Sequence, residues 1–286
     1  MKLLVTGATG HLGSLIVKAL LERVPAERIA VSVRDPQKAA ALAEQGVDVR
    51  RGDFDDPASL EQAFAGVDRL LIVSTDGDTQ TRIRQHANAV EAARNAGVGF
   101  IAYTSAPNAQ ESELFLAEVH RETENAIRAT GIPYAFLRNN WYIENEAGAI
   151  QGIVAGAPLV TSAENGKVGW AARSDYAEAA AAVLAGDRHD NKVYELGGPL
   201  RSYADLASAT SEALGREVPV QQVDDDAYAD IMKSAGVPEF ALPIVVAIQQ
   251  AIRAGTLAVE SNDLENLIGR PATPLTQAIK EIAGVQ

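Results

Sequence analysis

Short apolar runs alternate with amphipathic segments through the first half of the chain. Six runs are predicted as strands: Lys2–Thr6, Ile29–Val33, Val47–Arg51, Arg69–Ser74, Gly99–Thr104 and Tyr134–Arg138. The segments between them have helical spacing: His11–Arg23, Pro36–Gln45, Pro57–Phe64, Thr79–Ala96 and Glu118–Thr130. Because the runs are apolar at nearly every position, they fit a parallel sheet that is buried on both faces. The alternation therefore predicts a doubly wound α/β domain with right-handed crossovers.

The pattern loosens after Asn140. The elements predicted there are helices at Ala147–Ala155 and Asp175–Leu184, a strand at Lys192–Leu196 and mainly helical structure from Ser202 to Gln286. We therefore expect two parts. Residues 1–146 and 170–200 form the α/β domain, and residues 147–169 and 201–286 form a smaller, mainly helical lobe against the carboxyl edge of the sheet.

The charge balance excludes several classes of partner. The 286 residues include 25 Lys and Arg against 38 Asp and Glu, which gives a formal net charge of −13. Such a surface repels a phosphate backbone and an anionic membrane, so we expect no nucleic-acid or membrane partner. The first apolar run is too short for an export signal, and no window approaches the ~18 apolar residues of a membrane helix. These features predict a cytoplasmic protein. The sequence leaves open whether it is a monomer or a homodimer.

The absence of cysteine removes another set of chemistries. Without cysteine there is no disulfide, no thiolate nucleophile and no cysteine-ligated metal or iron–sulfur cluster. The four histidines, His11, His86, His120 and His189, are scattered along the chain, so we predict no metal site. Any redox activity must therefore belong to a bound cofactor.

The strongest local signal is the glycine-rich sequence from Val5 to Gly13, which follows the first predicted strand and opens the first predicted helix. Its spacing is Gly-x-x-Gly-x-x-Gly, at Gly7, Gly10 and Gly13. Glycine lets backbone N–H groups approach a pyrophosphate, and the N-terminus of a helix carries a partial positive charge. Gly13 would also let the helix lie close to the strand. In this context the motif predicts dinucleotide binding by a Rossmann domain.

The end of the second predicted strand indicates which dinucleotide is bound. An acidic residue there would bind the ribose 2′-OH of NAD, whereas an arginine favours the 2′-phosphate of NADP. Arg34 comes first and Lys38 follows, and a guanidinium binds a phosphate bidentately. Asp35, the next residue, either points away or reduces this preference. We predict NADPH as the preferred cofactor, with NADH as an alternative.

The loop spacing resembles that of extended and atypical short-chain dehydrogenase/reductases, but their usual Tyr-x-x-x-Lys pair is missing. Tyr103 is followed by Pro107, and Tyr134 is followed by Arg138 on a predicted strand. His120 lies where the related isoflavone-reductase-like enzymes have a lysine, and is either a satisfied helix histidine or a site residue. Two interpretations follow: a cofactor-binding sensor without catalysis, or hydride transfer to an acceptor, such as a quinone, that needs little acid assistance.

A resemblance over nearly the whole chain favours the second interpretation. The segments that carry it are Thr6–Gly13, Val33–Ala39, Phe100–Ser105, His120 with Glu124, Phe136–Asn145, Lys192–Leu196 and Leu267–Pro271. Through them the chain closely resembles the bacterial type 2 NAD(P)H:quinone oxidoreductases of the NmrA-like atypical short-chain reductases. It is similar to the triphenylmethane dye reductases almost as strongly. Trp141-Tyr142, with Glu144-Asn145, favours the quinone branch.

The resemblance implies a role for each candidate site residue. Those assigned to the cofactor are Gly7, Thr9, Gly10, His11, Leu12, Gly13, Arg34, Lys38, Ser74, Thr75, Thr104, Ser105, Arg138 and Asn139. Tyr103, Asn139 and His120 are the candidate catalytic residues, and Tyr103 or Asn139 would supply a hydrogen bond to a developing oxyanion. Trp141 and Tyr142 would contact the acceptor.

These observations predict an NADPH-preferring reductase that passes a hydride directly from the nicotinamide to a quinone, with neither flavin nor metal. The alternatives are a triphenylmethane or azo dye reductase on the same scaffold and a non-catalytic NADP(H)-binding redox sensor.

Overall fold

The computed structural model describes residues 1–285, and it is organised around a parallel sheet. Within these residues the strands are β1 (Leu3–Thr6), β2 (Ile29–Val33), β3 (Asp48–Arg51), β4 (Arg69–Ile72), β5 (Phe100–Ser105), β6 (Tyr134–Asn139), β7 (Leu159–Thr161), β8 (Lys192–Leu196) and β9 (Val220–Gln222). Seven of them form the main sheet in the order β3-β2-β1-β4-β5-β6-β8, and every neighbouring pair is parallel. β7 and β9 form a separate parallel pair.

Helices connect the strands and cover the sheet. In the described chain they are α1 (His11–Leu21), α2 (Ala40–Glu44), α3 (Pro57–Phe64), α4 (Thr79–Asn95), α5 (Ala117–Ala129), α6 (Ala147–Val154), α7 (Arg173–Ala185), α8 (Tyr203–Leu214), α9 (Asp225–Ser234), α10 (Leu242–Arg253), α11 (Asp263–Ile268) and α12 (Leu275–Ala283). None of these helices combines the length and apolar character that a bilayer crossing requires.

The strand order places a crevice at the centre of the sheet. From β1 the chain extends the sheet outward through β2 and β3, and then returns to add β4, β5, β6 and β8 on the other side of β1. In doubly wound sheets the ligand crevice lies outside the carboxyl ends of the strands, at this change of direction. The predicted Rossmann-like α/β fold is confirmed, and the crevice is expected beside the loop that follows β1.

Both faces of the sheet are buried, as the unbroken apolar runs predicted. Leu3 and Val5 of β1 belong to a core cluster shared with α1 and α7, whereas Leu4 belongs to the cluster on the opposite face, with α3 and α4. Side chains alternate across a strand, so each strand contributes to both cores. This packing fixes the position of β1 and therefore of the glycine loop at its end.

A third core lies under the C-terminal helices. It contains Trp170, from the segment between β7 and α7, together with Ile150 of α6, Leu206 of α8, Ile252 of α10 and Ile279 of α12. Leu264 of α11 instead packs with α7 in the core cluster that contains Leu3 and Val5. The C-terminal segment therefore contributes to two cores, and the domain boundaries given above stay a prediction.

Two local features differ from the sequence-based expectation. The predicted helix Pro36–Gln45 is a 3₁₀ turn at Pro36–Ala39 followed by the short α2, and the side chain of Asp35 caps the turn. The β7–β9 pair was not predicted because each strand has three residues and β9 is exposed at every position. Such strands lack the alternation that marks a half-buried strand.

Candidate active site

A cleft of about 870 Å³ runs along the carboxyl ends of the central strands. Its walls are the loops after β1, β2, β3 and β4, together with residues that follow β6 and residues at the start of α7. The predicted cofactor residues that line it are Gly7, Thr9, Gly10, His11, Leu12, Gly13, Arg34, Lys38, Ser74 and Thr75. Predicted residues from three separate loops, after β1, β2 and β4, therefore converge on one surface, as the sheet topology requires.

The glycine loop is shaped for close approach by a ligand. Gly7 has φ +62°, a conformation that favours glycine, and its carbonyl accepts the N–H of Gly10 at 2.9 Å. A Cβ at Gly13 would lie 2.2 Å from the carbonyl oxygen of Gly7, so no larger residue fits there without a shift of the backbone. Gly10 is the N-cap of α1 and provides no side-chain cap, so the first-turn N–H groups are available to an anion in the cleft.

Two cations lie where the cleft passes the end of β2. Arg34 and Lys38 line it there, and Arg34 is exposed. The carboxylate of Asp35 accepts the backbone N–H of Gln37 at 3.1 Å, so this acid is engaged in capping the 3₁₀ turn. Arg34 and Lys38 therefore provide positive charge at this end, which is what a 2′-phosphate requires.

The loop after β4 forms the middle of the cleft wall and is held from beneath. The N–H of Ser74 donates to the hydroxyl of Thr104 at 2.9 Å, and the N–H of Thr75 donates to Nε2 of His86 at 3.0 Å. The carboxylate of Asp78 caps α4 by accepting the N–H of Thr81. Thr104 thus supports the cleft wall from behind and does not line the cleft.

The far end of the cleft lies on the other side of β1 from Arg34. Tyr142, Asn145 and Arg173 line it there. A parallel bridge between Tyr142 and Ala171 brings the start of α7 beside the loop that follows β6. Asn145 and Arg173 are not among the site residues predicted from the sequence. Asn145 follows Tyr142 closely, whereas no sequence motif joins Arg173 to Tyr142, and the bridge brings these two together.

Tyr142 is the predicted acceptor-contact residue that lines the cleft. Its hydroxyl oxygen accepts the side-chain N–H of Asn139 at 3.1 Å, and its ring lies under the guanidinium of Arg173, 5.2 Å from ring centroid to Cζ. Burial raises the pKa of Tyr142. Asn139 is buried behind it, and its Oδ1 atom makes no hydrogen bond within the described chain. Trp141 is half-buried and packs against the core under the C-terminal helices.

Tyr103 and His120 lie in the interior, outside the residues that line the cleft. The side chain of Tyr103 is 0% exposed, and its hydroxyl is 2.9 Å from Nδ1 of His120. Burial, with the charge of Arg82, lowers the pKa of both His120 and His86 to about 3. Burial raises the pKa of Tyr103. All three rings are therefore neutral near pH 7, and a catalytic role for Tyr103 or His120 stays a prediction.

Arg138 and Ser105 are engaged by interior carboxylates. The guanidinium of Arg138 binds Glu124 at 2.9 Å and Glu195 at 2.8 Å, and the hydroxyl of Ser105 donates to Glu124 at 2.7 Å. Neither residue lines the cleft. Their side chains brace the ends of β5 and β6, and direct cofactor contact by them stays a prediction. Within residues 1–285 no group of three or more His, Cys, Asp or Glu side chains could hold a metal ion.

Comparisons with known proteins agree with this geometry. Quinone oxidoreductase 2 of Escherichia coli K12 is 38% identical over 282 residues, which cover 98% of each chain. The structure of the Citrobacter sp. triphenylmethane reductase superposes with a TM-score of 0.96 at 43% identity, covering all of both chains. The NADPH complex of the E. coli quinone oxidoreductase superposes with a TM-score of 0.93 at 38% identity, covering 98% of this chain and 99% of the other. Residues 1–282 match the model of the NmrA-like family, and the chain belongs to that family.

Proposed function

We propose that the protein is an NADPH-preferring oxidoreductase that transfers a hydride directly from the nicotinamide to a quinone, without flavin. The observation that carries this proposal is the continuous cleft from the cations after β2, across the glycine loop, to Tyr142. Its cations after β2 suit the 2′-phosphate of NADPH, and the glycine loop suits the pyrophosphate. Its far end opens beside aromatic and amide side chains that suit a flat, oxygen-bearing acceptor.

The residues of the cleft fit NADPH section by section. Arg34 and Lys38 would bind the 2′-phosphate, and the N-terminus of α1 would bind the pyrophosphate. Gly52, Asp53 and Phe54 line the neighbouring wall, where the adenosine would lie. A protein with a net charge of −13 needs such local positive groups to hold an anionic dinucleotide. When bound, NADPH supplies the hydride.

The acceptor class is supported by the relatives. The E. coli relative is named a quinone oxidoreductase, and its structure was solved with NADPH. Reduction of a quinone adds a hydride and one proton, so the protein must orient two flat rings, exclude water and provide a single proton donor. We expect the cleft beside the end of β6 to meet these requirements without a further cofactor.

A second candidate is reduction of triphenylmethane dyes. The Citrobacter structure with a TM-score of 0.96 is a triphenylmethane reductase, and it is also known in complex with NADP(H). Such dyes are cations, and the overall charge of −13 would attract them. Asp76 lines the cleft and adds a local carboxylate. The two activities are compatible, since both place a hydride acceptor against the same cofactor.

Anaerobic mixing of the protein with NADPH and 1,4-benzoquinone tests the proposal. We expect oxidation of NADPH in proportion to the quinone, with hydroquinone as the product and no flavin in the purified protein. Binding of NADPH without its oxidation, together with equal affinity for NADP⁺, would instead support a redox sensor. A parallel assay with a cationic triphenylmethane dye measures the second candidate.

The cofactor preference has its own test in Arg34→Ala. Loss of a charge-assisted contact to the 2′-phosphate should weaken NADPH binding by about 10- to 100-fold and leave NADH binding nearly unchanged. Titration of cofactor fluorescence gives both dissociation constants. Arg51→Ala is the matched control, because Arg51 is also exposed near a strand end but pairs with Asp56 and does not line the cleft. Equal weakening of NADPH and NADH by Arg34→Ala contradicts the assignment.

A further inference from the structure

We infer that the hydroxyl of Tyr142 donates the proton that the quinone oxygen takes up during reduction, and that Asn139 is the positioning residue that holds this hydroxyl in place. The inference rests on the proposed function, since it names the proton donor for that reaction. It differs from the sequence-based expectation, in which Tyr103, Asn139 and His120 were the candidate catalytic residues and Tyr142 was a contact for the acceptor.

The position of Tyr142 in the cleft is the first argument. Among the residues of 1–285 that line the cleft, it carries the one phenol, and it lies at the end away from Arg34. If Arg34 binds the adenosine phosphate, the nicotinamide lies at the Tyr142 end. His11 also lines the cleft, but it is the first residue of α1, at the pyrophosphate section.

The hydrogen bonding of Tyr142 is the second argument. Its oxygen accepts the N–H of Asn139 at 3.1 Å, so the hydroxyl hydrogen is left for a ligand in the cleft. The ring is fixed by an edge contact with Tyr176, at 5.1 Å between centroids, and by the guanidinium of Arg173. A donor held in one orientation before the reaction needs no reorganisation during it.

The interior position of Tyr103, the tyrosine that the sequence predicted to be catalytic, is the third argument. The hydroxyl of Tyr103 contacts His120 and its side chain has no exposed surface. A quinone in the cleft cannot reach it, and both neighbouring imidazoles are neutral near pH 7, so neither is an imidazolium that could return a proton to Tyr103. Tyr142 has the required contact with the cleft, and Tyr103 does not.

The chemistry balances with these groups. The quinone receives two electrons and one hydrogen as hydride from NADPH, and its carbonyl oxygen receives the second hydrogen as a proton from the Tyr142 hydroxyl. The O–H bond of Tyr142 breaks as the new O–H bond of the hydroquinone forms. Burial raises the pKa of Tyr142, so its hydroxyl keeps its proton near pH 7 until the reduced quinone takes it. The transient phenolate lies beside the Arg173 guanidinium and regains its proton from water that enters the open cleft.

The experiment compares wild-type protein and Tyr142→Phe with two kinds of acceptor. A quinone needs a proton, whereas a cationic triarylmethane dye takes up hydride at its central carbon and needs none. For Tyr142→Phe we expect a kcat for benzoquinone lowered on the order of 10- to 100-fold, and a much smaller change in NADPH affinity and in dye reduction. Tyr134→Phe is the matched control, because Tyr134 is stacked on Phe136 away from the cleft, and should behave like wild type.

A solvent deuterium isotope effect on kcat for the quinone gives an independent measure. It should be the same in wild type and in Tyr134→Phe and different in Tyr142→Phe, where solvent water must supply the proton instead. Asn139→Leu should lower kcat for the quinone more than it changes KM. Quinone reduction by Tyr142→Phe at the wild-type rate, or an equal loss with quinone and dye, would overturn this inference alone. Wild-type protein that binds NADPH but reduces no quinone would overturn the proposed function itself.

Discussion

Tyr103 and Tyr142 show two different uses of a phenol on adjacent parts of one sheet. Tyr103 lies within β5, and Tyr142 lies three residues beyond the end of β6. The side chain of Tyr103 packs into the core beneath α4 and α5, among buried apolar residues. The side chain of Tyr142 lies at the sheet edge, where the cleft begins. Tyr103 lies within a strand and Tyr142 lies beyond the carboxyl end of one, and this difference decides which of the two side chains can contact a ligand in the cleft.

The partners of the two phenols differ accordingly. Around Tyr103 the protein supplies the hydrogen-bond partners itself, and His86 illustrates this. The hydroxyl of Thr123 donates to the carbonyl of Val119, so it must accept a hydrogen from Nδ1 of His86. Nε2 of His86 is then the acceptor for the N–H of Thr75. At Tyr142, by contrast, Asn139 provides one contact and leaves its own Oδ1 atom without a hydrogen bond within the described chain. Interior polar groups are normally satisfied, and the exceptions include Oδ1 of Asn139 beside Tyr142 and Nε of Arg82 beside His120.

The largest expected effect is on stability, from His86→Leu. The substitution removes the acceptor for the Thr75 N–H and the donor to Thr123, and leaves buried polar groups without partners. We expect a loss of about 4 kcal/mol in the free energy of unfolding, measured by urea denaturation. His189→Leu is the control, since His189 is only half-buried and should cost much less. A small loss for His86→Leu would mean that the interior network is not what holds the cleft wall.

The next effect concerns a second interior group, Glu146, which contacts the Trp170 indole at 3.2 Å and the Tyr203 hydroxyl at 3.4 Å. Burial raises the pKa of Glu146 to about 7, so the folded state prefers the protonated acid. Its contribution to stability is full below the unfolded pKa and is lost as the pH rises through about 7. The loss amounts to about 3 kcal/mol.

Glu146→Gln should abolish this pH dependence. Above pH 7 the variant should be more stable than wild type, because its amide stays neutral, and the two should converge in acid. Thermal unfolding from pH 5 to 8 measures the difference, and Glu22→Gln at an exposed helix end is the control. Parallel pH profiles for wild type and Glu146→Gln would show that the buried carboxyl is compensated by other groups.

The smallest effect, and the one that most directly sharpens the comparison, is that of Tyr103→Phe. The variant loses one buried hydroxyl contact with His120, which should lower the free energy of unfolding by about 1 kcal/mol. Because this hydroxyl does not reach the cleft, we expect kcat and KM for a quinone to stay within about twofold of wild type. A fall in kcat with intact NADPH binding would restore the sequence-based prediction that Tyr103 is catalytic.

Much of the nucleotide half of the site could be predicted from the sequence. The glycine loop, Arg34 and Lys38 each follow a strand at a short, regular distance, and parallel strands bring their carboxyl ends to one edge. The chemistry of these residues also depends mainly on backbone position. The sequence therefore carries the information locally, within one strand–loop–helix unit.

The acceptor half could not be predicted to the same extent. Arg173 reaches the cleft only because the chain pairs Ala171 with Tyr142 after an excursion through α6 and β7. Whether Tyr103 or Tyr142 meets the cleft depends on which way each side chain points at the sheet edge. Arg138 is a similar case, because its binding to Glu124 and Glu195 depends on residues from α5 and β8. Contacts of this kind arise from tertiary packing and leave no spacing in the sequence.

The close packing at Gly13 has a consequence for how such a protein can change over evolutionary time. A single added methyl group at that position meets backbone 2.2 Å away, whereas a Cβ at Gly148 has no neighbour within 4 Å. Position 13 of the nucleotide loop therefore accepts only glycine unless the backbone shifts. The far end of the cleft is built from side chains that can be exchanged one at a time. A lineage with this scaffold is free to acquire new electron acceptors while its source of electrons stays the same.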